Sequence, residues 1–435
     1  MVDNLQQLTT SAFSRFMKMG SMVGRVGFSM FAERTANLFL SKDSRERRNL
    51  EFWMKNGERI LDTLGNLKGG AMKIGQMLSL QEGILPPELL EIIRLLQKKA
   101  PSLSFGLMKG VIEADLPGYK NIFHTIEEIP YASASIGQVH KGTLKDGRVV
   151  AIKIQYPEID RIIQSDLKNL KVLFKILLSN FLKMDLEKIW EEVSHQLVDE
   201  LDYQKELKNQ KEFIDYFQKY DIIKIPQPIE YASSKRVFTS EFLTGLDVHD
   251  IKEQKITQEL KNLWGENLFR LFLIQLLDFK MIHSDPNMGN YSFLDDGKVI
   301  LYDFGSVKRI PVDLGNSLRK LLLSIKKKDF NSIPTHLKEI GIYRSNGNKI
   351  SMETVSYVLD VFRPIFANDN YRFEQGKNII QKIADLKRAN ITESMDLMFP
   401  ADIIFIDRTA IGLFGNLNQL KATGNWGEIA KEYIL

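Results

Sequence analysis

The stretch from residue 281 to residue 305 constrains the fold of this chain more than any other. It reads MIHSDPNMGNYSFLDDGKVILYDFG, and two short apolar runs within it are joined by an Asp-Asp-Gly turn at 295–297, which predicts a β-hairpin. Asp285 and Asn290 stand before the hairpin in a D-x-x-x-x-N pattern, and Asp303 follows it as the first residue of D-F-G. The hairpin is predicted to bring these two loops side by side.

These three side chains suit a site that handles phosphate groups with a metal ion. A hard cation that bridges phosphates takes oxygen ligands, which Asn290 and Asp303 can supply. Asp285 can supply a carboxylate next to the entering nucleophile, which is a catalytic role. A D-F-G tripeptide alone is a weak signal, but its order and spacing after D-x-x-x-x-N are specific. The expected cofactors are ATP and Mg²⁺, with Mn²⁺ as an alternative metal.

A nucleotide site of this kind needs a lysine on an upstream strand. Lys153 ends a Val-Ala-Ile-Lys run on the second strand of a predicted hairpin, whose turn is Lys-Asp-Gly at 145–147. A lone lysine on a strand is usually a solvated edge residue, but this position favours a catalytic lysine that contacts phosphate oxygens of ATP.

A loop that faces the phosphates is expected one strand before Lys153. The segment there contains Ala132, Ser133, Ala134 and Ser135 instead of a glycine-rich G-x-G-x-x-G. Small residues still let main-chain N–H groups approach phosphate, and the two serines can add hydroxyl donors. Alanine and serine restrict φ where glycine does not, so this cofactor-binding loop is expected to be less pliable.

Four sequence blocks together carry a family resemblance. They are Lys73-Ile74-Gly75-Gln76, the alanine-serine loop at 132–135, Glu200-Leu201-Asp202-Tyr203 followed by Glu206, and His283 to Asn290 with its D-F-G. In this order they resemble the KxGQ motif, alanine-rich loop, ExD helix and catalytic elements of the UbiB (AarF) family. These are atypical protein-kinase-like proteins associated with ubiquinone and other isoprenoid-lipid metabolism. The resemblance covers about residue 50 to past residue 310.

The resemblance implies an α+β, bilobal protein-kinase-like fold with a helical N-terminal extension and a helix-rich C-lobe. Four regions are expected: a basic amphipathic N-terminal segment at 1–50, seen in the charge distribution, a helical extension carrying KxGQ at 51–125, a kinase-like N-lobe with inserted helices at 126–245, and a helix-rich C-lobe with the catalytic loop and D-F-G at 246–435. Lys153 would pair with the catalytic Glu206. Lys73, Gln76, Glu200 and Asp202 would be regulatory, since in the family the extension covers the substrate cleft near the ExD acids.

The hinge between the lobes is expected to follow a second predicted β pair, formed by 225–231 and 236–243. Glu241 and Leu243, just before Gly245, are the residues expected to offer main-chain groups to adenine.

Two departures argue against a conventional protein kinase. Ser284 stands where H-R-D kinases have arginine, and no A-P-E motif follows Gly305. The first hypothesis is therefore an ATP-binding enzyme that hydrolyses ATP or phosphorylates a small or lipid-like acceptor. The alternatives are a nucleotide-gated scaffold without catalysis and a small-molecule kinase of the aminoglycoside or choline type.

Composition adds expectations about location and partners. The 435 residues include no cysteine, which excludes disulfides and thiolate chemistry and is compatible with the cytoplasm or another reducing compartment. The net charge of +4 lies within residues 1–50, where basic residues alternate with Phe, Met and Val. This segment predicts either peripheral contact with an anionic membrane or a helix packed on the body. No basic stripe that would bind nucleic acid persists elsewhere.

Overall fold

The computed structural model describes residues 103–134, 136–164, 167, 171, 186–367, 370–373, 382 and 397–435. The chain divides into two compact units. The first contains the described residues up to Asp202 together with Ala232–Val237, and the second contains Tyr203–Tyr231 and Phe238–Leu435. No helix within the described part of the chain combines the length and the apolar character needed to cross a membrane.

The first unit is built on an antiparallel sheet. Its elements are α1 (Phe105–Asp115), α2 (Tyr119–Ile122), β1 (Phe123–Ile126), β2 (Ala132–Ser133), β3 (Gly137–Leu144), β4 (Val149–Gln155) and α3 (Leu186–Asp199). Strand β3 pairs with β1 and β2 along one edge and with β4 along the other. Val150, Ile152 and Ile154 of β4 are fully buried. Because side chains alternate along a strand, Lys153 belongs to the opposite face.

The predicted hairpin before Lys153 is confirmed. Gly147 has a φ of +89°, which a glycine adopts at no steric cost. Its N–H donates to the carbonyl of Leu144 at 3.0 Å, and the N–H of Leu144 donates to the carbonyl of Arg148 at 2.9 Å. The turn thus fixes the register in which Lys153 lies opposite Val139.

An ion pair attaches the end of α1 to the segment 232–237 of the first unit. Asp115 Oδ1 accepts from Arg236 Nε at 2.8 Å, while its Oδ2 accepts from the Ser234 hydroxyl at 2.9 Å and from the Arg236 N–H at 3.0 Å. Burial raises the pKa of Asp115, but the hydrogen bonds from Arg236 and Ser234 outweigh it, so the pKa lies below its usual value.

The second unit is mostly helical, with short strands around one loop region. Its elements up to residue 309 are α4 (Tyr203–Phe217), β5 (Ile223–Lys224), β6 (Val237–Glu241, which starts at the last residue of the first unit), α5 (Val248–Glu253), α6 (Gln258–Leu273), β7 (Met281–His283), β8 (Tyr291–Phe293), β9 (Val299–Leu301) and β10 (Val307–Arg309). Beyond it follow α7 (Val312–Lys326), α8 (Ile333–Glu339), β11 (Tyr343–Arg344), α9 (Met352–Ala367), β12 (Tyr371–Arg372), β13 (Leu397–Met398), α10 (Ala401–Leu420), β14 (Thr423–Gly424) and α11 (Trp426–Ile434). A π-helical turn spans Ile274–Phe279, and 3-10 turns span Glu230–Ala232, Met288–Asn290 and Phe330–Ser332.

The second predicted β pair is only half right. Strand β6 forms within 236–243, but 225–231 is not a strand and meets β6 at a single bridge, between Pro228 and Ser240. Pro226 and Pro228 lack the N–H that a continuous ladder requires, which explains the interruption. The segment then turns into the 3-10 helix that begins at Glu230.

Helix α6 supports the hairpin formed by β8 and β9. The indole N–H of the fully buried Trp264 donates to the carbonyl of Leu294 at 2.7 Å. One turn further along, the side-chain amide of Asn267 donates to the carbonyl of Gly297 at 2.8 Å. The antiparallel hairpin predicted between the two site loops is thus confirmed, and both ends of its turn are held by one helix.

Candidate nucleotide site

The loop that carries Asp285 is held at its entrance by buried hydrogen bonds. The N–H of His283 donates to the side-chain oxygen of Gln275 at 2.6 Å, and Gln275 lies in the π-helical turn that ends α6. The His283 ring contacts the main-chain carbonyl of Asp303 through Nε2. This contact joins the Asp285 loop directly to the D-F-G segment.

Asn290 is fixed within the same loop. Its side-chain Nδ2 donates to the carbonyl of Asp285 at 3.0 Å, and its N–H donates to the carbonyl of Asn287 at 2.9 Å. Only the amide nitrogen can donate to a carbonyl, so the first bond also settles the orientation of the amide. The side-chain oxygen is then the atom through which Asn290 can bind a cation.

Asp303 directly follows Tyr302, whose N–H forms a hydrogen bond between the two site loops. The N–H of Tyr302 donates to the carbonyl of Asn290 at 3.1 Å, and the Oδ1 of Asp303 accepts from the N–H of Gly305 at 2.9 Å. A carboxylate oxygen carries more than one lone pair, so this bond orients the group and still permits a cation to bind it. Asn290 and Asp303 therefore belong to one hydrogen-bonded frame, as the hairpin predicted.

Helix α4, which carries Glu206, is attached to the D-F-G segment. Phe304 is fully buried, and its ring packs against Phe213 of α4 at 4.9 Å between centroids. The side-chain amide of Asn209 donates to the carbonyl of Phe304 at 3.1 Å. Glu206 lies buried in the first turn of the same helix.

The position of the H-R-D arginine is closed to a large side chain. Ser284 is fully buried, and its hydroxyl lies 2.9 Å from that of Ser306, which comes directly after D-F-G. The Ser284 N–H donates to the Ser306 carbonyl at 2.9 Å. The chain then forms β10, which pairs with β7, and enters α7 at Val312. Helix α7 thus begins seven residues after Gly305.

A buried cation approaches Asp285 from the C-terminal part of the chain. Arg408 of α10 is 1% exposed, and its Nη2 lies 3.9 Å from Asp285 Oδ1. Arg408 is not among the site residues predicted from the sequence. The available signal was an arginine within the apolar stretch of a helix, where a charged side chain is unusual unless it has a partner. Burial, and secondarily the charge of Asp285, raise the pKa of the neighbouring Tyr291.

Two predicted residues of the first unit lie on either side of one strand residue. In the sheet register, Val139 of β3 pairs with Ala132 of β2 and with Lys153 of β4. Adjacent strands lie almost 5 Å apart, so the main chains at Ala132 and Lys153 are separated by roughly 10 Å. The predicted phosphate-facing segment and the predicted phosphate-binding lysine are thus neighbours within this unit.

The turn after β2 is tight. The N–H of Ala134 donates to the carbonyl of Gly137 at 2.8 Å. A Cβ on Gly137 would lie 2.2 Å from the carbonyl oxygen of Ile154, so only glycine permits this approach of β3 to β4. Ser133 ends β2, whereas Ser135 lies outside the described residues.

The predicted adenine-binding residues are partly engaged within the second unit. The N–H of Glu241 donates to the carbonyl of Gln227 at 2.8 Å. The carbonyl of Leu243 accepts from the hydroxyl of Tyr302 at 3.2 Å, one residue before Asp303. The adenine contact therefore remains a prediction that involves the Glu241 carbonyl and the Leu243 N–H.

The remaining predicted residues are distributed as follows. Lys73 and Gln76 lie outside the described residues. Glu200 is buried and Asp202 half-buried just after α3, in the first unit with Lys153. Glu206 belongs to the second unit with Asp285, Asn290 and Asp303, and its pairing with Lys153 stays a prediction.

The residues at the loops fit a metal that is shared with a ligand. Among the described residues, no group of three or more His, Asp and Glu side chains could hold a metal ion without further ligands. Asn290 and Asp303 offer two oxygen ligands on one frame. Mg²⁺ characteristically binds one or two protein oxygens and takes its other ligands from phosphates and water. The donor set is therefore typical of a metal–nucleotide complex.

Comparisons with known proteins agree with this geometry. Residues 95–337 match the model of the ABC1 atypical kinase-like domain. Atypical kinase COQ8B, mitochondrial, of Danio rerio is 32% identical over 70% of this chain and 50% of its own length. Atypical kinase COQ8, mitochondrial, of Saccharomyces cerevisiae is 32% identical over 74% of this chain and 64% of its own length. Protein ACTIVITY OF BC1 COMPLEX KINASE 8, chloroplastic, of Arabidopsis thaliana is 28% identical over 89% of this chain and 54% of its own length.

A solved structure shows the same fold. The Mycobacterium tuberculosis protein Rv3197, in its complex with erythromycin, superposes with a TM-score of 0.63 at 28% identity, over 90% of this chain and 98% of that chain. The kinase-like α+β fold predicted from the sequence is thus confirmed. The chain spans about half to two thirds of the length of the three curated relatives named above.

Proposed function

The chain belongs to the ABC1 atypical kinase-like family, which is the UbiB family, and from this premise we propose that it is an ATP-dependent enzyme. It binds ATP with Mg²⁺, or with Mn²⁺ in its place, and either hydrolyses ATP or transfers its terminal phosphoryl group. The observation that carries the proposal is a pair of hydrogen bonds. The Asn290 side chain donates to the Asp285 carbonyl, and the N–H of Tyr302, the residue before Asp303, donates to the Asn290 carbonyl.

Four sets of groups are proposed to bind the nucleotide. Lys153 neutralises phosphate oxygens, and Glu206 pairs with it to orient the ammonium group. The main chain of 132–135 approaches the phosphates, with hydroxyl donors from its two serines. The Glu241 carbonyl and the Leu243 N–H bind adenine.

Three residues of the second unit act at the reacting phosphate. Asn290 and Asp303 would provide oxygen ligands for the metal, which would supply positive charge next to the phosphates. Asp285 accepts the proton of the attacking hydroxyl or water, or orients that nucleophile.

The acceptor is small or lipid-like, not a protein. Between Gly305 and α7 the chain has room only for Ser306, the three residues of β10 and two more, and β10 is paired with β7. A peptide-docking segment of the protein-kinase type has no place there. In keeping with its family, the enzyme supports ubiquinone or related isoprenoid-lipid metabolism.

The helical extension is proposed to regulate the access of substrates to the site. Lys73 and Gln76 of the extension act together with Glu200 and Asp202 to limit the substrates that reach the site.

The basic, apolar segment 1–50 contacts the surface of an anionic membrane, which brings the enzyme to lipid-like acceptors.

Metal-dependent phosphate release by the purified protein tests the proposal. Asp303→Asn should abolish release, because a neutral amide replaces the charged metal ligand. Asp296→Asn is the matched control: it makes the same change at an exposed turn of the same hairpin, where Asp296 accepts from the Lys298 N–H and lies 3.5 Å from the Lys298 ammonium group. Equal rates for the wild type and Asp303→Asn would overturn the enzymatic function and leave a nucleotide-gated scaffold.

Liposomes test the acceptor and the membrane contact. Anionic vesicles containing a phenol that resembles a quinone precursor should sediment the protein and raise its rate of phosphate release. Vesicles that change neither sedimentation nor rate would overturn the role given to residues 1–50.

A further inference from the structure

Arg408 stands out because it is a nearly inaccessible cation beside the proposed catalytic carboxylate. Its side chain is 1% exposed, and Asp285 is 16% exposed. Burying a guanidinium group removes its hydration, which is unfavourable unless a negative group compensates. A carboxylate that lies next to Arg408 is that of Asp285, which is proposed to meet the nucleophile.

The helix that carries Arg408 is fitted to the Asp285 loop at two further positions. A Cβ at Gly412 would lie 2.2 Å from Cγ of Pro286, so the absence of a side chain there lets the loop lie against the helix. Four residues on, the Asn416 side-chain amide donates to the Pro286 carbonyl at 3.0 Å.

These three residues form one stripe along α10. Residues 408, 412 and 416 are spaced at i, i+4 and i+8, which places them on the same face of a helix. The stripe contacts Asp285, the Pro286 ring and the Pro286 carbonyl in that order. A residue that only filled the core would not need to lie on the same helix face as two other residues that contact the Asp285-Pro286 dipeptide.

The position next to Asp285 in the sequence cannot supply a cation. Ser284 is fully buried against Ser306, and both its main chain and its hydroxyl are engaged there. In H-R-D kinases an arginine occupies this position. The cation that lies beside Asp285 in this chain comes from α10.

We propose that Arg408, which α10 brings to the Asp285 loop, is a positioning residue for Asp285. It holds the Asp285 carboxylate in place and favours its negative charge, while Asn416 and Gly412 fix the loop around it. This inference rests on the role proposed for Asp285 in phosphoryl chemistry. In this role Arg408 acts on the reaction through Asp285.

Arg408→Met is the informative substitution because it removes the charge and keeps much of the side-chain volume. Because removing one partner of a buried ion pair destabilises a protein, the kinetics are compared below the Tm of the variant, where it is folded. We expect kcat for phosphate release to fall about 10- to 100-fold, as for other groups that orient a reacting side chain. The KM for ATP should change by less than about 3-fold, since the groups that bind ATP are intact. Arg408→Lys should restore part of kcat.

Two controls separate positioning from packing. Arg270→Met makes the same replacement at an arginine that pairs with Glu432 of α11, and it should leave kcat unchanged. In an Asp285→Asn background, Arg408→Met should cause no further loss, because residues that act as a unit are not additive. A wild-type kcat in Arg408→Met, or a full additional loss on top of Asp285→Asn, would overturn the inference.

Thermal melting tests the contact independently of turnover. Arg408→Met should lower the Tm in the wild type, where it removes a buried cation from beside Asp285, and should lower it less in the Asp285→Asn background. Equal Tm shifts in both backgrounds would overturn the inference even if the protein showed no turnover. Absence of turnover in the wild type, by contrast, would count against the proposed function alone.

Discussion

The side-chain amide of Asn209 donates a hydrogen bond to the main-chain carbonyl of Phe304 at 3.1 Å. This bond links α4 to the centre of the D-F-G segment, and Phe213 of the same helix packs on the Phe304 ring. Glu206 lies one turn before Asn209 on α4. The helix that carries the proposed partner of Lys153 is therefore fixed to the segment that carries the proposed metal ligand.

Asn209→Ala should uncouple the helix from the D-F-G segment without unfolding the unit. Loss of one partly buried hydrogen bond should lower the free energy of unfolding by about 1 kcal/mol. The rate of ATP turnover should fall by more than this loss of stability alone would cause. The reason is that the hydrogen bond between the helix of Glu206 and the segment of Asp303 is lost. Steady-state kinetics and urea denaturation measure the two effects, and unchanged kinetics in a destabilised protein would contradict the coupling.

Replacing Ser284 by arginine, which would recreate the H-R-D pattern, should not give a stable protein. Ser284→Arg places a long, charged side chain where a fully buried serine meets Ser306. We expect a loss of more than about 3 kcal/mol or insoluble protein, from overpacking and an unpaired buried charge. Ser284→Ala is the control and should lose about 1 kcal/mol, the contribution of one hydrogen bond. A stable, active Ser284→Arg protein would disprove the packing argument.

A methyl group at position 412 should disturb the loop that carries Asp285. In Gly412→Ala the new Cβ would meet Pro286, and relieving this overlap should lower stability by about 1 to 3 kcal/mol and reduce turnover. Gly110→Ala is a matched control in another helix, since Gly110 is exposed and has no atom within 4 Å of its Cβ position. There the same change should raise stability by about 0.5 to 1 kcal/mol. Denaturation curves for both variants give the comparison, and equal shifts would argue against a contact at Pro286.

Local signals account for the part of the site that the sequence predicted. Both hairpins depend on Asp-Gly turns, and Gly147 and Gly297 adopt the positive φ that such turns require. Because the turn sets the register, it also sets which residues face each other. The position of Lys153 opposite Val139 and the proximity of Asn290 to Tyr302 follow from neighbouring residues alone.

Contacts between distant segments account for what the sequence did not predict. Arg408 lies more than 120 positions after Asp285, and no local pattern indicates that α10 will bring it there. The same holds for Asn209 and Phe304. The 225–231 strand was wrong for a different reason: apolar residues suggested a strand, while Pro226 and Pro228 removed the hydrogen bonds that would have formed it.

The stability of the first unit should depend on pH through Asp115. Its pKa is lowered in the folded protein, where the hydrogen bonds from Arg236 and Ser234 outweigh the opposing effect of burial. A depressed carboxyl pKa contributes stability that is complete above the unfolded value near 3.8. This contribution is lost as the pH falls through that value towards the lower folded pKa.

Asp115→Asn should therefore destabilise the protein at neutral pH, by about 1 to 3 kcal/mol for a partly buried charged hydrogen-bonded group. The difference from the wild type should shrink as the pH falls below about 4, because protonation removes the same charge from the wild type. Asp146→Asn, at an exposed turn where Asp146 pairs with Arg148, is the control and should change stability little at any pH. Urea denaturation from pH 7 to pH 3 measures all three proteins. A deficit in Asp115→Asn that stays constant over this range would show that the side chain acts through its shape and not through its charge.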